Sequence, residues 1–465
     1  MIRNVQKPGG VLITLWLALG AVAFAVMQSL VSPALPAIGA SLAADPGATG
    51  WVLTAYLLSA SVLTPILGRA GDLMGKRNVL IGVLVVMAAG TTLAALAPTI
   101  SVLIAARVAQ GAAGSILPLS IGVVRDELPP DKVSVIVGLL STTFAIGGGV
   151  GIVAAGPIVQ FLSWRALFWL PLVLVLAALI GVILGVPASR SLTPDRLDWP
   201  GAAILSISLT SLLLAVSKAQ HWGWGDAKIL SLFALGGGML IVFALVELRR
   251  RQPLIDLRLM GKRGVWVTDV VALIQGFTMF GTFLVIPMFL QQPGRPGSVS
   301  EAGLCLLPVV ALMAVCGPLA GILFRKIGAR PTMFLGAAAV TAAFVLLALA
   351  HDAIWQVFVA GALVGGGLGL SFATMSNAII GIVPAAQTGE ATGINIIMRT
   401  IGGSIGTAVI IAIVLSDGAP SDKTFTSAFW SCAGVAALAA ATALALPSAR
   451  DSGRAAARVP AEVQN

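Results

Sequence analysis

Fourteen apolar segments, each about as long as the hydrocarbon core of a bilayer, constrain this chain more than any other feature. A helix needs roughly 20 apolar residues to cross a membrane. Only 10% of the 465 residues are charged and 58% are hydrophobic, too few charges to cover a water-soluble globule. The sequence therefore predicts an all-α polytopic membrane protein. The predicted spans are 11–31, 50–68, 78–97, 100–124, 134–158, 166–186, 199–217, 228–248, 266–290, 302–324, 332–350, 355–382, 391–415 and 427–447.

The order of these segments divides the chain into six, two and six spans. We predict an N-terminal six-helix half at 1–190, two extra transmembrane helices with their linkers at 191–262, and a C-terminal six-helix half at 263–449. Residues 450–465 have nothing apolar enough to pack, so we expect a disordered cytoplasmic tail. The first run is too long for the core of a signal peptide, and we expect it to be retained as a helix.

Basic residues alternate in number between the two sides of the predicted membrane protein. With the N-terminus inside, 21 of the 28 Lys and Arg residues fall on the inner side and five on the outer side. The positive-inside rule then places both termini on the cytoplasmic side of the membrane. We expect that membrane to be the plasma membrane. The same rule explains the net charge of +10 better than nucleic-acid binding does, because the basic residues are dispersed singly among the loops.

The stretch from Gly68 to Arg77 is the most unusual connection between two spans. Four charges and three glycines stand within ten residues, which predicts a tight, charged hairpin loop at the membrane edge. Asp72 can accept hydrogen bonds from an Arg or from free N–H groups at a helix start, and such bonds can form in one conformation and break in another. The residues expected to form this gating loop are Gly68, Arg69, Asp72, Gly75, Lys76 and Arg77.

This stretch resembles the signature Gly-x-x-x-Asp-x-x-Gly-Arg/Lys-Arg/Lys of the major facilitator superfamily. The resemblance implies a fold of two six-helix halves, with the loop on the cytoplasmic side between helices 2 and 3, where it holds the outward-open state. The two central spans are similar to the extra pair of the fourteen-helix drug:proton antiporter branch. A degenerate copy of the signature at 321–330 has Arg325 where Asp72 stands, as expected of an internal repeat.

Arg107 lies deep within the fourth predicted span. An Arg at that depth is costly unless it faces a cavity or a partner, and Gln110 follows on the same helix face. The segment resembles the fourth-helix Arg motif of the family, whose Arg is implicated in proton or substrate handling. The alternative is a structural Arg that binds backbone carbonyl groups of a neighbouring helix.

Small residues form one face of the fifth predicted span. Gly147 and Gly151 are four residues apart, which allows close helix contact, and we assign Gly147, Gly151, Gly156 and Pro157 to helix packing or gating. The antiporter version of this motif has a proline where this chain has Ile152, so the resemblance is incomplete here. Simple helix packing is the alternative to a gating role.

The first span departs further from the family pattern. Fourteen-helix exporters typically carry an Asp about nine residues before the proline of an Ala-Leu-Pro motif, and Met27 holds that position here, with Gln28 beside it. Asp269 is the acidic residue that lies most plausibly inside a span, so it is a candidate for the proton pathway. A helix-start carboxylate, stabilised by the helix dipole, is the alternative for both Asp269 and Glu390.

The thirteenth predicted span adds Asn395 and Arg399 at a spacing of four residues. Arg399 lies too deep to reach the interface easily, which favours an inward-facing polar role over a structural pair. The candidate substrate or proton pathway therefore comprises Arg107, Gln110, Gln28, Asp269, Asn395 and Arg399.

A secondary transporter is the function that these patterns favour. No phosphate-binding loop of the Gly-x-x-x-x-Gly-Lys-Ser/Thr type occurs, so ATP is not expected to drive transport, and we expect no cofactor and no metal site. The resemblance implies export of hydrophobic or amphipathic small molecules in exchange for protons, by a monomer in the lipid bilayer. A facilitator or importer of a small metabolite on the same fold is the first alternative, and a membrane-embedded transferase is the second.

Overall fold

The structure, a computed structural model, is built from α-helices. It describes residues 10–187, 197–250, 253–292, 304–416 and 420–447, so the predicted tail at 450–465 lies outside the described residues. The helices are α1 (Gly10–Ser41), α2 (Pro46–Met74), α3 (Lys76–Ala95), α4 (Ile100–Gln110), α5 (Ile116–Glu127), α6 (Pro130–Phe161), α7 (Ala166–Gly185), α8 (Trp199–Trp222), α9 (Ala227–Arg249), α10 (Leu257–Met260), α11 (Arg263–Leu290), α12 (Leu307–Ile327), α13 (Ala329–Leu349), α14 (Ile354–Ile382), α15 (Thr388–Val414) and α16 (Asp422–Ala443).

Fourteen helical segments within the described ranges are long and apolar enough to cross a membrane, as predicted. Helices α4 and α5 together form the fourth span, joined by the 3-10 turn Gly111–Ser115. Close packing accompanies this turn: a methyl group on Gly111 would lie 2.5 Å from Cβ of Ser59 on α2. Helix α10 is a single turn that leads into α11. The fold is therefore that of a polytopic helical protein with two six-helix halves, α1–α7 and α11–α16, and an extra pair, α8 and α9.

The stretch from Gly68 to Arg77 differs from the predicted loop. Helix α2 continues to Met74 and α3 begins at Lys76, so Gly75 alone separates the two helices. Its φ of 95° is a conformation that favours glycine, which explains a turn of this kind at this residue. The turn is tight, as predicted, but it is shorter than expected: the helix can extend because several of the charged side chains are buried against other helices.

Each six-helix half has its own apolar core. In the C-terminal half, Phe289 packs edge-on against Phe425 and Phe429 at ring-centroid distances of 5.4 and 5.5 Å. In the N-terminal half, Leu17 of α1 and Leu84 of α3 belong to a buried cluster that also includes residues of α5 and α7. Burial of these side chains stabilises each half.

The extra pair α8 and α9 packs against both halves. Leu205 and Leu209 of α8 share one apolar cluster with Ile66 of α2 and with Ile394 and Ile397 of α15. Helix α2 belongs to the N-terminal half and α15 to the C-terminal half. The pair is thus placed across the boundary at which the halves meet.

Close glycine contacts also join the halves through α6 and α12. A methyl group on Gly138 of α6 would overlap the carbonyl oxygen of Gly317 on α12, and one on Gly321 would overlap that of Ser134. Near the membrane surface, the guanidinium group of Arg325 donates to the carbonyl oxygen of Asp131 at 2.5 Å. This surface, where α2 meets α3 and α12 meets α13, is called the motif side below.

Gly402 allows a similarly close contact within the C-terminal half, between α15 and α11. A methyl group there would overlap the backbone carbonyl of Leu273. We expect Gly402→Ala to lower the free energy of unfolding by about 1–3 kcal/mol, because α15 must move away from α11. The melting temperature of the purified protein in detergent measures this loss.

Gly434→Ala is the matched control for this prediction. Gly434 lies in α16, where a methyl group would meet no atom within 4 Å, and alanine is the better helix former. Its melting temperature should equal or exceed that of the wild type. Equal melting temperatures for Gly402→Ala and the wild type would show that the α11–α15 contact is unimportant.

Candidate functional site

Asp72 joins the two halves at the motif side. Its side chain is buried, and its carboxylate oxygens accept hydrogen bonds from the backbone N–H groups of Gly389 and Glu390 at 3.3 and 3.2 Å. Both N–H groups belong to the first turn of α15, where the helix itself provides no acceptor and the dipole favours a negative charge. Gly68, one turn earlier in α2, permits the approach, since a methyl group there would lie 3.0 Å from the carbonyl carbon of Gly389.

A buried ion pair lies beside this contact. A guanidinium nitrogen of Arg69 on α2 is 3.5 Å from Oε2 of Glu390 on α15, and both side chains are at least nine-tenths buried. The backbone N–H of Asp256, in the linker between α9 and α11, donates to Oε1 of Glu390 at 2.6 Å. Glu390 therefore connects the N-terminal half, the C-terminal half and the linker.

Two further cations cross between the halves at the same surface. Nζ of Lys76 lies 2.7 Å from Oδ2 of Asp126 and donates to the carbonyl oxygen of Ala385 at 3.2 Å. Arg125 at the end of α5 donates to Oγ1 of Thr388 at 2.6 Å and to the carbonyl oxygen of Val383 at 2.8 Å. We call the group formed by Arg69, Asp72, Lys76, Arg125 and Glu390 the latch.

The structure brings together most, but not all, of the predicted gating residues. Arg77 differs from its neighbours in that a guanidinium nitrogen donates to the carbonyl oxygen of Ile183 on α7, inside the N-terminal half, at 2.7 Å. Arg125 was not predicted, because one Arg at the end of a span looks like an ordinary topology signal. Glu390 lies in the first turn of its helix as expected, but its side chain also pairs with Arg69, and the sequence alone cannot show this partner.

Arg107 lies at the centre of a buried polar group in the N-terminal half. Its Nε donates to the carbonyl oxygen of Val52 at 3.2 Å, Nη1 donates to Oε1 of Gln110 at 2.7 Å, and Cζ lies 4.0 Å from the ring centroid of Tyr56. Its Nη2 and the Tyr56 hydroxyl lack a hydrogen-bond partner in the part of the chain that the structure describes. The carbonyl contact is the one expected of a structural Arg, while the unpaired Nη2 remains available to a further group.

Met27 continues this polar group towards α1. Gln110 donates through Nε2 to Oγ1 of Thr91 at 3.1 Å, and that hydroxyl lies 3.3 Å from the sulfur of Met27. Met27 is buried, so the position of the family's usual Asp is occupied by an apolar side chain. Gln28 beside it is half-buried, and its Oε1 has no partner within the described residues.

Asp269 and Asn395 form a buried pair in the C-terminal half. Nδ2 of Asn395 donates to Oδ1 of Asp269 at 2.9 Å, and both residues are about nine-tenths buried. The alternative interpretation of Asp269 as a helix-start carboxylate is wrong, because α11 begins at Arg263 and Asp269 lies nearly two turns inside it. The error arose because the sequence does not show at which residue the helix begins, so a carboxylate in its second turn cannot be distinguished from one in its first turn.

Arg399 lies one turn further along α15 than Asn395. Its side chain is buried, and Cζ is 4.6 Å from the ring centroid of Phe372 on α14. Its backbone is held close to α11, since a methyl group on Gly276 would overlap the Arg399 carbonyl oxygen. The aromatic face stabilises the guanidinium charge within the helix bundle.

The predicted small-residue face of α6 divides into two parts. Gly147 and Gly151 pack on α1, where methyl groups at these positions would lie 3.0 Å from the carbonyl oxygen of Val22 and 2.9 Å from that of Val26. Gly156 and Pro157 are exposed, and a methyl group on Gly156 would meet no atom within 4 Å. In this conformation, therefore, Gly156 makes no helix contact of the kind expected, and the side chain of Ile152 lies outside the described residues.

No cluster of three or more His, Cys, Asp or Glu side chains that could hold a metal ion occurs in the described ranges. The arrangement that the structure does provide is a set of buried polar contacts between two helical halves, with separate polar groups inside each half. Such an arrangement can hold and release a conformation.

Several curated proteins are similar to this chain along most of their length. The chain is 28% identical to the tetracenomycin C resistance and export protein of Streptomyces glaucescens over 86% of this chain and 75% of that protein. It is 30% identical to the cephamycin export protein CmcT of Amycolatopsis lactamdurans, over 85% of this chain and 83% of that protein. The multidrug transporter protein MdtP of Bacillus subtilis is 27% identical, with coverage of 83% and 72%.

Solved structures share the fold at much lower sequence identity. The human organic anion transporter TETRAN superposes with a TM-score of 0.68 at 16% identity, covering 94% of this chain and all of that chain. The proton:xylose symporter XylE superposes with a TM-score of 0.63 at 15% identity, covering 93% and 94%. The family model for the Major Facilitator Superfamily matches residues 17–407 and 270–463. The chain therefore belongs to the major facilitator superfamily of membrane transporters.

Proposed function

We propose that this multi-pass membrane protein exports hydrophobic or amphipathic small molecules by alternating access, with protons as the counter-ion. The observation that carries the proposal is the latch, because it joins the two halves at one surface through polar contacts that can break and re-form. The relatives support the direction of transport, since they are named as export proteins for tetracenomycin C and cephamycin and as a multidrug transporter.

The latch suits a gate for a physical reason. A buried carboxylate or guanidinium group that loses its partner is costly unless water or a new partner replaces it. The latch contacts are therefore expected to break together, when the halves separate and water enters, and not one at a time. Two discrete states, one with the motif side closed and one with it open, follow from this cooperativity.

The proposal includes an orientation and a cellular place. The positive-inside rule puts the motif side, both termini and the latch in the cytoplasm of a cell bounded by its plasma membrane. The structure then corresponds to a conformation closed towards the cytoplasm.

We propose that one chain is sufficient for transport, since each chain contains both halves of the fold.

Proton coupling needs a titratable group at or near the transport pathway. Met27 removes the usual acidic residue of the first span, so another carboxyl group must take that role. Asp269 is the candidate, because it is buried inside a span and its carboxylate accepts a hydrogen bond from a neutral amide, that of Asn395. It can gain or lose a proton without breaking that pair.

Asp72→Asn should slow transport by about tenfold or more while leaving the protein in the membrane. A hydrogen bond to a charged group contributes about 1.5–3 kcal/mol. Asn removes the charge, and its NH2 group is a donor that cannot accept a hydrogen bond from either backbone N–H group. The latched conformation would then be populated about ten times less often relative to the open one. Initial rates of substrate efflux from cells, corrected for the amount of membrane-embedded protein, measure this effect.

Asp45→Asn is the matched control for the latch. Asp45 caps the opposite end of the same helix, α2, is exposed, and should tolerate the change with normal efflux. Normal turnover in Asp72→Asn would contradict the gating role of the latch.

Asp269→Asn should uncouple substrate movement from proton movement. The amide keeps the size of the side chain and can still pair with Asn395, but it cannot take up a proton. Purified protein in liposomes that contain a pH dye should therefore show substrate-driven proton flux in the wild type and little or none in Asp269→Asn. Asp352→Asn, an exposed carboxylate after α13, is the control and should behave as the wild type.

The same liposomes separate the proposed function from its main alternative. If Asp269→Asn retains full substrate-driven proton flux, Asp269 is not the coupling residue. If wild-type protein moves labelled compounds down their gradient without any proton flux, Met27 becomes the decisive feature and a proton-independent facilitator replaces the antiporter.

A further inference from the structure

A buried pair of carboxyl groups lies outside the latch and outside the polar groups of the two halves. Asp198 precedes the first residue of α8, and Glu247 lies in the last turns of α9, so both are at the motif side of the extra helix pair. Their exposed fractions are 6% and 3%. Nothing in the proposed transport cycle uses either residue.

Each of the two carboxyl groups has one oxygen atom that is well satisfied. Oδ1 of Asp198 accepts hydrogen bonds from the backbone N–H of Gly201 at 2.9 Å and from the guanidinium group of Arg250 at 2.7 Å. Oε2 of Glu247 accepts a hydrogen bond from the backbone N–H of Ile255 at 3.2 Å. These bonds fix the orientation of both side chains.

The other oxygen of each group has no hydrogen-bond partner within the described residues. These atoms are Oδ2 of Asp198 and Oε1 of Glu247, and both are buried. They face the same small space: a methyl group on Gly201 would overlap Oε1 of Glu247 and lie 3.0 Å from Oδ2 of Asp198. A buried oxygen atom without a donor is unusual, and two that border the same space require a common explanation.

Within the residues that the structure describes, one cation is paired with these two carboxyl groups. Arg250 is the cation paired with Asp198. The buried residues that α2 and α15 contribute to the surrounding cluster, Ile66, Ile394 and Ile397, are apolar. Two adjacent ionised carboxylates repel each other in a buried site, whereas a single proton between them removes one charge and gives both free oxygens a partner.

We propose that Asp198 and Glu247 form a proton-binding site that holds one proton between Oδ2 and Oε1 while the latch is closed. A proton fits the site better than a metal ion does. Calcium and magnesium require six or more oxygen ligands, whereas this site offers two free carboxylate oxygens.

The site is connected to the latch through two consecutive residues of the linker. Ile255 donates to Glu247, and the next residue, Asp256, donates to Glu390, which pairs with Arg69. Loss of the proton would force the two carboxylates apart. Asp198 is held by Arg250 and by its helix, so Glu247 moves and takes Ile255 and Asp256 with it. This step, unlike the site itself, rests on the proposed gating role of the latch.

Infrared difference spectroscopy of the full-length protein between acidic and alkaline pH tests the site directly. The spectrum should contain the carbonyl band of a protonated carboxyl group that disappears as the pH rises. Glu247→Gln and Asp198→Asn should each lower the intensity of this band by the amount that one protonated carboxyl group contributes. Both variants keep the size of the side chain, and Asn also preserves the helix cap, so both should fold.

Asp226→Asn is the matched control for the spectrum. Asp226 caps the neighbouring helix α9 with the same kind of hydrogen bond, but its carboxyl group faces the opposite membrane surface. This variant should keep the full band. An unchanged band in both Glu247→Gln and Asp198→Asn, each with a normal elution volume and melting temperature, would overturn the proposal.

Hydrogen–deuterium exchange tests the connection to the latch separately. After correction for intrinsic rates, the peptide that contains Ile255 and Asp256 should exchange faster at alkaline than at acidic pH in the wild type. Glu247→Gln mimics the protonated pair and should remove this difference. A pH-independent peptide together with a normal infrared band would show that the proton site exists without acting on the latch, whatever the outcome for proton-coupled export.

Discussion

The contact between the Asp72 carboxylate and the first turn of α15 is the interaction on which the rest of this arrangement depends. It places a buried negative charge against two N–H groups that no other residue of the helix can satisfy. The contact needs α2 and α15 to approach closely, which Gly68 permits, and it positions Arg69 beside Glu390. Because each half has a separate apolar core, this polar surface is where the relative position of the halves can change without unfolding either of them.

Buried charge is distributed unevenly between the latch and the interior of the halves. At the motif side, Arg69 pairs with Glu390 across the boundary, whereas Lys76 pairs with Asp126 inside the N-terminal half and donates to the carbonyl oxygen of Ala385 across the boundary. Deeper in the bundle the charged groups have neutral partners: Arg107 contacts a carbonyl group, an amide and an aromatic ring, and Asp269 contacts the amide of Asn395. Groups held in this way can accept a new charged partner or a proton at lower cost than paired ions can, and this is the chemistry that a coupled transport pathway requires.

Much of the fold follows from the sequence, because the length of the apolar runs and the bias of the basic residues depend on the membrane and not on tertiary contacts. The number of spans was predicted in this way, whereas Asp72 was singled out by the charges and glycines of its stretch and the family signature it resembles, and Arg107 by its depth within a span. The pairing of side chains was not predictable. Glu390 has a neighbour on α2, more than 300 residues away in the chain, and Asp198 and Glu247 look like ordinary helix-end carboxylates. The stretch from Gly68 to Arg77 was predicted as a tight, charged hairpin, but the connection is shorter than expected because its charges gave no sign that other helices would bury them.

The most direct measurement of the central claim is the distance between the two halves at the motif side. Spin labels at Asn78 on α3 and Arg330 on α13, both exposed, can be placed in a background in which Cys305, Cys316 and Cys432 are replaced by alanine. Pulsed electron paramagnetic resonance without substrate should then give mainly one short distance in the otherwise wild-type protein and a second, longer distance in Asp72→Asn. Identical distance distributions in the two proteins would contradict the conclusion that the Asp72 contact holds the motif side closed.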